Sequence, residues 1–261
     1  MKLCRYTSNG LPEVRYGVIE GDVISPVAGA SPFEGGLATT SERVPLEQVT
    51  LLAPVTPSKI VCVGRNYKDH AAELGNPMPA EPLLFLKAPS SIVGPNGSII
   101  LPPQSAQVEH EGELGVVMGK KASRLSPTDD PLSFVLGYTC VNDVTARDLQ
   151  RRDVQFTRAK SFDTFCPVGP YISTNVNPAN LTVTTRVNGQ TRQKGSTAAM
   201  AFSIPYLLHY ISHAMTLYPG DLIATGTPAG VSKLQQGDIV EVEIEDVGIL
   251  RNPVTVLSTD G

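Results

Sequence analysis

The sequence predicts a strand-rich, mixed α/β fold with few helices, made of a small N-terminal β-rich extension and a larger main body. Three observations carry this. Gly and Pro together make 45 of 261 residues, which demands many turns. Apolar stretches are short and are bounded by turn-forming residues, as strands are. A long helical apolar pattern occurs once, from about Ser203 to Leu217 with Pro205 in its first turn.

Residues 14–27, VRYGVIEGDVISPV, read as two strands around the Glu20-Gly21-Asp22 turn. Residues 28–45 are small, polar and rich in Gly and Pro, and read as a loop. A linker is placed at 53–58, so residues 1–55 form the extension and 56–261 the body. The body opens with the apolar run 59–64, KIVCVG, a buried strand ended by Gly. Asn66 is placed to cap a helix from Tyr67 to Leu74, which stops at Gly75 with prolines beyond. Further strand-like runs cover 83–87, 98–101, 113–118, 134–141, 168–173, 181–187, 221–225 and 239–244. A short helix is expected at Thr145–Arg151. Helices are too few and too irregularly spaced for repeating βαβ units.

Composition excludes several classes. The chain is 41% hydrophobic and 18% charged, with mean hydropathy of −0.02, so it can bury a core. Net charge is −4 and no basic block exists, which argues against nucleic-acid binding. No run of about eighteen apolar residues is present to span a membrane. The stretch from Met1 to Val14 lacks the apolar segment of a secretory leader, so a cytoplasmic location is expected. Cys4, Cys62, Cys140 and Cys166 are far apart in sequence, which excludes CxxC motifs and predicts four reduced, buried thiols.

Four constellations could carry chemistry. In a strand, Glu111 and Glu113 of Glu111-Gly112-Glu113 project to the same face. Asp143 ends the apolar run FVLGYTCVN and could bring a third carboxylate. Three oxygen ligands suit Mg²⁺ or Mn²⁺. A solvated strand face would give the same spacing, and Glu109 is in phase with the pair, so alternation alone does not choose the ligands; His110 points to the other face. Second, His70 and Glu73 share a helix face, where a carboxylate would fix the imidazole tautomer. The flanking Gly75, Pro77, Pro79 and Pro82 suggest a lid. Third, residues 141–167 collect Asp143, Arg147, Gln150, Arg158, Lys160 and Asp163, cations suited to an anionic substrate beside a carboxylate site. Fourth, the loop 224–230, ATGTPAG, offers backbone N–H groups and Thr hydroxyls to a carboxylate, or is simply a tight turn.

Other patterns lead nowhere. The stretch from Gly115 to Lys121 has the wrong spacing for a phosphate loop, and GxGxxG and GxSxG are absent. His209 and His213 have zinc-like spacing but no intervening Glu, and read as partly buried core histidines.

Seven blocks in order, VGRNYKDHAAE, EPLLFLK, EHEGELGVVMGK, NDVTARDLQ, RAKSFDTFCPVGP, FSIPYLLHYIS and GDLIATGTPAGV, closely resemble the fumarylacetoacetate hydrolase superfamily. The resemblance spans about residues 58–257. It is strongest to the branch of acylpyruvate hydrolases, oxaloacetate decarboxylases and 2-hydroxyhepta-2,4-diene-1,7-dioate isomerases; the first ~50 residues match only loosely, as in isomerase-like members. It implies a mixed β-sandwich roll for the catalytic domain, usually as a homodimer. It implies Mg²⁺ or Mn²⁺ on Glu111, Glu113 and Asp143, and a lid dyad of His70 and Glu73. Gln150 and Lys160 fall on further catalytic positions, and Arg65, Arg147 and Thr227 on substrate contacts. A short 2-oxo acid with a second carbonyl two carbons on could then lose its C3–C4 bond by hydrolysis, or its carboxylate by decarboxylation. Either route passes through an enolate whose charge a divalent cation offsets. Isomerisation or decarboxylation of the dienedioate, in aromatic catabolism, is the alternative.

Overall fold

The computed structural model describes residues 1–8, 13–29 and 31–257. Ala30, inside the segment read as loop, and residues 258–261, at the end of the expected body, lie outside the described residues.

The chain begins with an antiparallel meander of β1 (Lys2–Ser8), β2 (Val14–Glu20) and β3 (Val23–Pro26). The β2–β3 turn falls at Gly21, whose φ of +62° suits glycine. β1 is an addition to the elements expected. The segment 28–45 also differs from a plain loop. It holds a four-residue helix, α1 (Pro32–Gly35), begun by a hydrogen bond from Phe33 N–H to Ser31 Oγ, and the short β4 (Val44–Pro45) on β3. β5 (Val49–Leu52) returns to pair with β1.

The body continues with β6 (Ile60–Gly64), α2 (Lys68–Glu73), β7 (Leu83–Lys87), β8 (Ile92–Val93) and β9 (Ile99–Leu101). Asn66 does not cap α2. Tyr67 holds the capping position, while the buried Asn66 amide donates to Phe202 O and Thr225 O and accepts from Phe202 N–H. Three backbone groups, one of them fully buried, needed partners, and that need outranks one helix end. Next come β10 (Val108–Glu109), β11 (Gly112–Met118), β12 (Val135–Asn142) and β13 (Thr145–Ala146). Thr145 and Ala146 are therefore strand, and the helix expected from Thr145 is α3 (Arg147–Arg152). A further short helix, α4 (Thr157–Lys160), follows it.

β14 (Cys166–Ser173), β15 (Thr182–Val187) and β16 (Gln190–Ser196) precede α5 (Ile204–Ala214), which carries Pro205 in its first turn as expected but ends three residues early. Beyond Ala214 the chain turns extended to bridge Leu217 to Ala122. β17 (Leu222–Ala224), β18 (Ile239–Ile244) and β19 (Gly248–Val256) complete the fold.

The large sheet runs β4-β3-β2-β1-β14-β12-β11-β17-β6-β7, with β5 on β1 and β8 on β14. A second sheet runs β16-β15-β18-β19-β9. Between them lie Leu114 and Val116 of β11, Val183 of β15, Val242 of β18 and Leu250 of β19, closed by Leu207, Leu208 and Ile211 of α5. Burial of each such side chain contributes about 1.5–3 kcal/mol. The opposite face of the large sheet packs Leu3, Val117, Val141, Ile172 and Leu222 together, so extension and body share one core.

Two irregularities matter for the site. β17 pairs with β11 only at Gly115–Val117, which leaves Gly112–Leu114 without a strand on that side. Between β15 and β16 the register passes from Thr185↔Gln193 to Arg186↔Thr191. Arg192 is the extra residue of a bulge, and Gln193 turns inward to full burial between exposed neighbours. No helix among the described residues is long and apolar enough to cross a membrane.

Candidate active site

The register of β11 on β12 sets Gly112 against Asn142, so Glu111 and Asp143 meet just beyond the paired ends. Asp143 N–H donates to Glu111 O at 2.8 Å, and Glu111 N–H to Asn142 Oδ1 at 2.9 Å. Glu113, two residues along β11, points the same way. Oxygens of Glu111, Glu113 and Asp143 lie within 4.8 Å of one another, and all three residues are buried.

Cations surround this cluster. Lys160 Nζ donates to Glu111 Oε2 at 2.8 Å and Asp143 Oδ2 at 2.7 Å. Arg147 pairs through Nη2 with Glu111 Oε1 and through Nε with Glu109 Oε2 at 2.8 Å. Lys87, at the end of β7, donates to Asp143 Oδ1 at 2.6 Å and Val144 O at 3.1 Å while only 1% exposed. Burial pushes the Glu111 carboxyl up, but Lys160 and Arg147 outweigh it and hold it below the ordinary range. Glu113 goes the other way. Burial and the charges of Asp143 and Glu111 push it well up, and its hydrogen-bond donor is the Gly226 N–H at 2.8 Å.

These residues fit a divalent cation. Fully ionised, the four buried carboxylates, Glu109 included, would outnumber the three buried cations Lys87, Arg147 and Lys160 by one. The unmatched carboxyl is Glu113, which has no ion-pair partner within 4.0 Å among the described residues and which burial and its neighbours make costly to ionise without a further cation. An all-oxygen, three-carboxylate set is a donor set for Mg²⁺ or Mn²⁺. Each oxygen that already accepts a hydrogen bond keeps a lone pair.

Nine of the expected residues, Arg65, His70, Glu111, Glu113, Asp143, Arg147, Gln150, Lys160 and Thr227, line one cavity of about 230 Å³. The tenth, Glu73, lies behind His70. Its Oε2 is 3.1 Å from His70 Nδ1, and its Oε1 accepts from Gly230 N–H at 3.0 Å. The pair therefore orients the imidazole and ties α2 to loop 225–230. Leu74, Leu83, Phe85 and Phe156 form an apolar wall, with Phe85 under Lys160 Nζ at 4.9 Å from the ring centroid. Arg147, expected as a substrate contact, reaches the cavity but is committed to carboxylates and to Gln150 Oε1 at 2.6 Å.

Lys87 and Gln193 were missed in the sequence, and Glu109 was passed over. Glu109 is buried, held by Arg147 and by Gln107 Nε2 at 2.5 Å. Lys87 closes an apolar run and carried no charge pattern to flag it. Gln193 sits in a polar edge strand with no hydrophobic signal. The histidines set aside behave differently from one another: His110 is fully buried in hydrogen bonds, whereas His213 is exposed and not the core residue expected, its ring 4.6 Å from that of half-buried His209. The four cysteines are free and buried, as expected.

A strand-built sandwich that closes over a buried carboxylate triad defines a family of enzymes. Residues 59–255 match the family model described as fumarylacetoacetate (FAA) hydrolase C-terminal, and residues 1–54 one described as Rv2993c-like, N-terminal. The chain belongs to the fumarylacetoacetate hydrolase family. It is 46% identical to a human mitochondrial oxaloacetate tautomerase, over 84% of this chain and 73% of that protein. Among solved structures, the 2-hydroxyhepta-2,4-diene-1,7-dioate isomerase from Mycobacterium marinum superposes with a TM-score of 0.90 at 43% identity, covering 99% of this chain and all of that one. A maleylpyruvate hydrolase from a Sphingobium species gives 0.81 at 34% identity, covering 98% of this chain and all of that one.

Proposed function

We propose that this protein is a Mg²⁺- or Mn²⁺-dependent enzyme acting on short 2-oxo acids that carry a second carbonyl, by acylpyruvate hydrolysis or oxaloacetate decarboxylation. One observation carries the reading: His70, its Nδ1 taken by Glu73, lines the same cavity as Glu111, Glu113 and Asp143. Those three carboxylates would hold the cation. A cation there supplies Lewis-acid chemistry, drawing charge from the oxygens of a bound 2-oxo acid.

The chain's own groups do the rest. Glu73 accepts at Nδ1–H, which leaves the Nε2 lone pair of neutral His70 to take a proton from water attacking the C4 carbonyl. Lys160 and Gln150 stabilise charge and position that water. Arg65 and the Thr227 loop face the substrate carboxylates. Leu74, Leu83 and Phe156 exclude bulk water from the apolar part of the substrate. The reading includes a homodimer, for which light scattering after size exclusion is the test.

A second reading is keto–enol tautomerisation of oxaloacetate, favoured by the 46% identity to a protein named for that activity. The same His70 would then move a proton at C3 with no bond between carbons broken. A third, isomerisation of a dienedioate, is favoured by the match to the Mycobacterium marinum isomerase along the whole chain, extension included. Purified protein with Mg²⁺ should bleach the enol absorbance of acetylpyruvate or oxaloacetate. Proton NMR separates the outcomes. New pyruvate means cleavage; deuterium exchange at C3 without pyruvate means tautomerisation; rearranged dienedioate means isomerisation. Equal rates in wild type and Glu113→Gln would remove the metal-dependent reading.

A further inference from the structure

The end of β11 that carries the metal-ligand candidates lacks a neighbouring strand on the side away from β12, because β17 has already stopped at Ala224. A side chain from the other sheet takes that strand's place. Gln193 Oε1 accepts from Gly112 N–H at 3.0 Å, and Gln193 Nε2 donates to Pro228 O at 2.6 Å and Thr227 Oγ1 at 2.7 Å. Thr227 Oγ1 in turn donates to Gly112 O at 2.8 Å. Both backbone polar groups of Gly112, the residue between Glu111 and Glu113, are thus held by Gln193 and by the threonine that Gln193 holds.

The orientation of this amide follows from chemistry. A backbone N–H can only donate and a backbone C=O only accept, so the atom facing Gly112 must be oxygen and the atom facing Pro228 must be nitrogen. It follows that His110 Nδ1, 3.0 Å from Oε1, carries a hydrogen, while Nε2 lies 2.8 Å from Ser232 Oγ. His110 is therefore an anchor for Gln193 and is not among the residues that line the cavity. Gly230 and Gly195 let the loop lie directly on β16. A Cβ at Gly230 would overlap the Arg192 carbonyl oxygen, and one at Gly195 would come within 2.6 Å of Pro228 Cβ.

We propose that Gln193 is a positioning residue that locks the metal-ligand strand and the substrate loop 225–230 to each other through one amide. The inference rests on the metal-site reading above. It requires that loss of the amide loosen both halves together, the metal through Gly112 and the substrate through Thr227. Partners of metal ligands typically carry 10- to 100-fold in affinity or activity.

Calorimetry with Mg²⁺ alone, and with pyruvate added to the Mg²⁺-loaded protein, tests this on wild type, Gln193→Ala and Gln193→Glu. Gln190→Ala, exposed on the same strand, serves as control. Gln193→Glu keeps size and acceptor but loses both donors, so it carries the measurement should the alanine variant not fold. We expect Gln193→Ala to raise both dissociation constants about 10-fold at temperatures where it is fully folded. Gln193→Glu should raise that of pyruvate more than that of Mg²⁺, and Gln190→Ala should change neither. A double cycle with Thr227→Val should be non-additive for pyruvate. A lowered Tm with both constants unchanged, or a shift in the Mg²⁺ constant alone, overturns the proposal. Failure of wild type to bind Mg²⁺ is a different result and removes the metal reading on which the proposal stands.

Discussion

Glu113 is the residue at which the site's charge imbalance is felt. Glu113→Gln keeps its shape and removes the carboxyl that burial and the neighbouring carboxylates make costly to ionise. Without metal the variant should melt no lower than wild type, because like charges buried together cost stability. Adding Mg²⁺ should raise the Tm of wild type and leave that of the variant unchanged, with affinity down by roughly 10- to 100-fold or more. Differential scanning calorimetry in chelator and in Mg²⁺ reads both effects. Gly112 between the two glutamates makes a different demand. A Cβ there would overlap Thr185 Oγ1, a buried hydroxyl without a hydrogen-bond partner, and would lie 3.3 Å from Val242 Cγ1. Gly112→Ala should cost about 1–3 kcal/mol in denaturant unfolding, and Thr185→Ala in the same chain should recover part of it. The cysteines give a pH-dependent prediction. Burial pushes the Cys4, Cys140 and Cys166 thiols up to about 12, and Cys62 well up. At pH 8 thiolate is scarce in the folded protein. A disulfide reagent should label little of the native chain, with labelling rising as pH climbs toward that value, and all four thiols should react in guanidinium.

At the scale of elements, what the sequence disclosed depended on how each element is buried. Strands β7, β11, β12 and β18 were legible because each is a continuous or alternating apolar run between turn formers. The ExE pair and the His70–Glu73 spacing were visible for a related reason, since side chains two apart on a strand or three apart on a helix share a face, but the choice of that pair over Glu109 and the addition of Asp143 came from the resemblance of the seven blocks. β16 was not legible. Its sequence QTRQKGS is polar because it is an edge strand with a solvated side, and nothing in it announces that Gln193 turns inward. Lys87 was hidden in the opposite way, by the apolar run it ends. Helix α2 joins the site through Glu73, which meets His70 with one oxygen and Gly230 N–H with the other. In the proposed reaction, Glu73→Ala should lower kcat by about 100-fold or more, losing both contacts. Glu73→Gln, which can still accept from Gly230, should be milder; stopped assays with acetylpyruvate would rank them.

The whole molecule is held by a sheet that does not stop between extension and body. β1 pairs with β14 through Lys2↔Ser173 and Leu3↔Ile172, and Leu3 and Val55 pack into the same cluster as Val117 and Leu222. A protein shortened to residues 56–261 loses these contacts and bares the edge of β14. Leu3 and Val55 alone account for about 3–6 kcal/mol of burial, a large part of the roughly 5–15 kcal/mol by which proteins are stable. The shortened chain should therefore melt lower and self-associate, which a thermal scan and size exclusion would show. Reading β1 from sequence was hard because its burial depends on a strand about 170 positions later, a pairing that local pattern does not contain.

The single extra residue in β16 has a consequence for how this protein tolerates insertion and deletion. A bulge bends its strand and re-aims the side chains beside it. Arg192 is solvent-exposed, and a substitution there would ordinarily pass unnoticed. Its deletion would leave Gln193 opposite Thr185, but it would straighten the strand and take away the carbonyl on which Gly230 rests, drawing the Gln193 amide off Gly112, Thr227 and Pro228. The main core would be untouched. The chain should stay folded and lose its hold on metal and substrate alike, so that the count of residues in this hairpin is under tighter constraint than their identity.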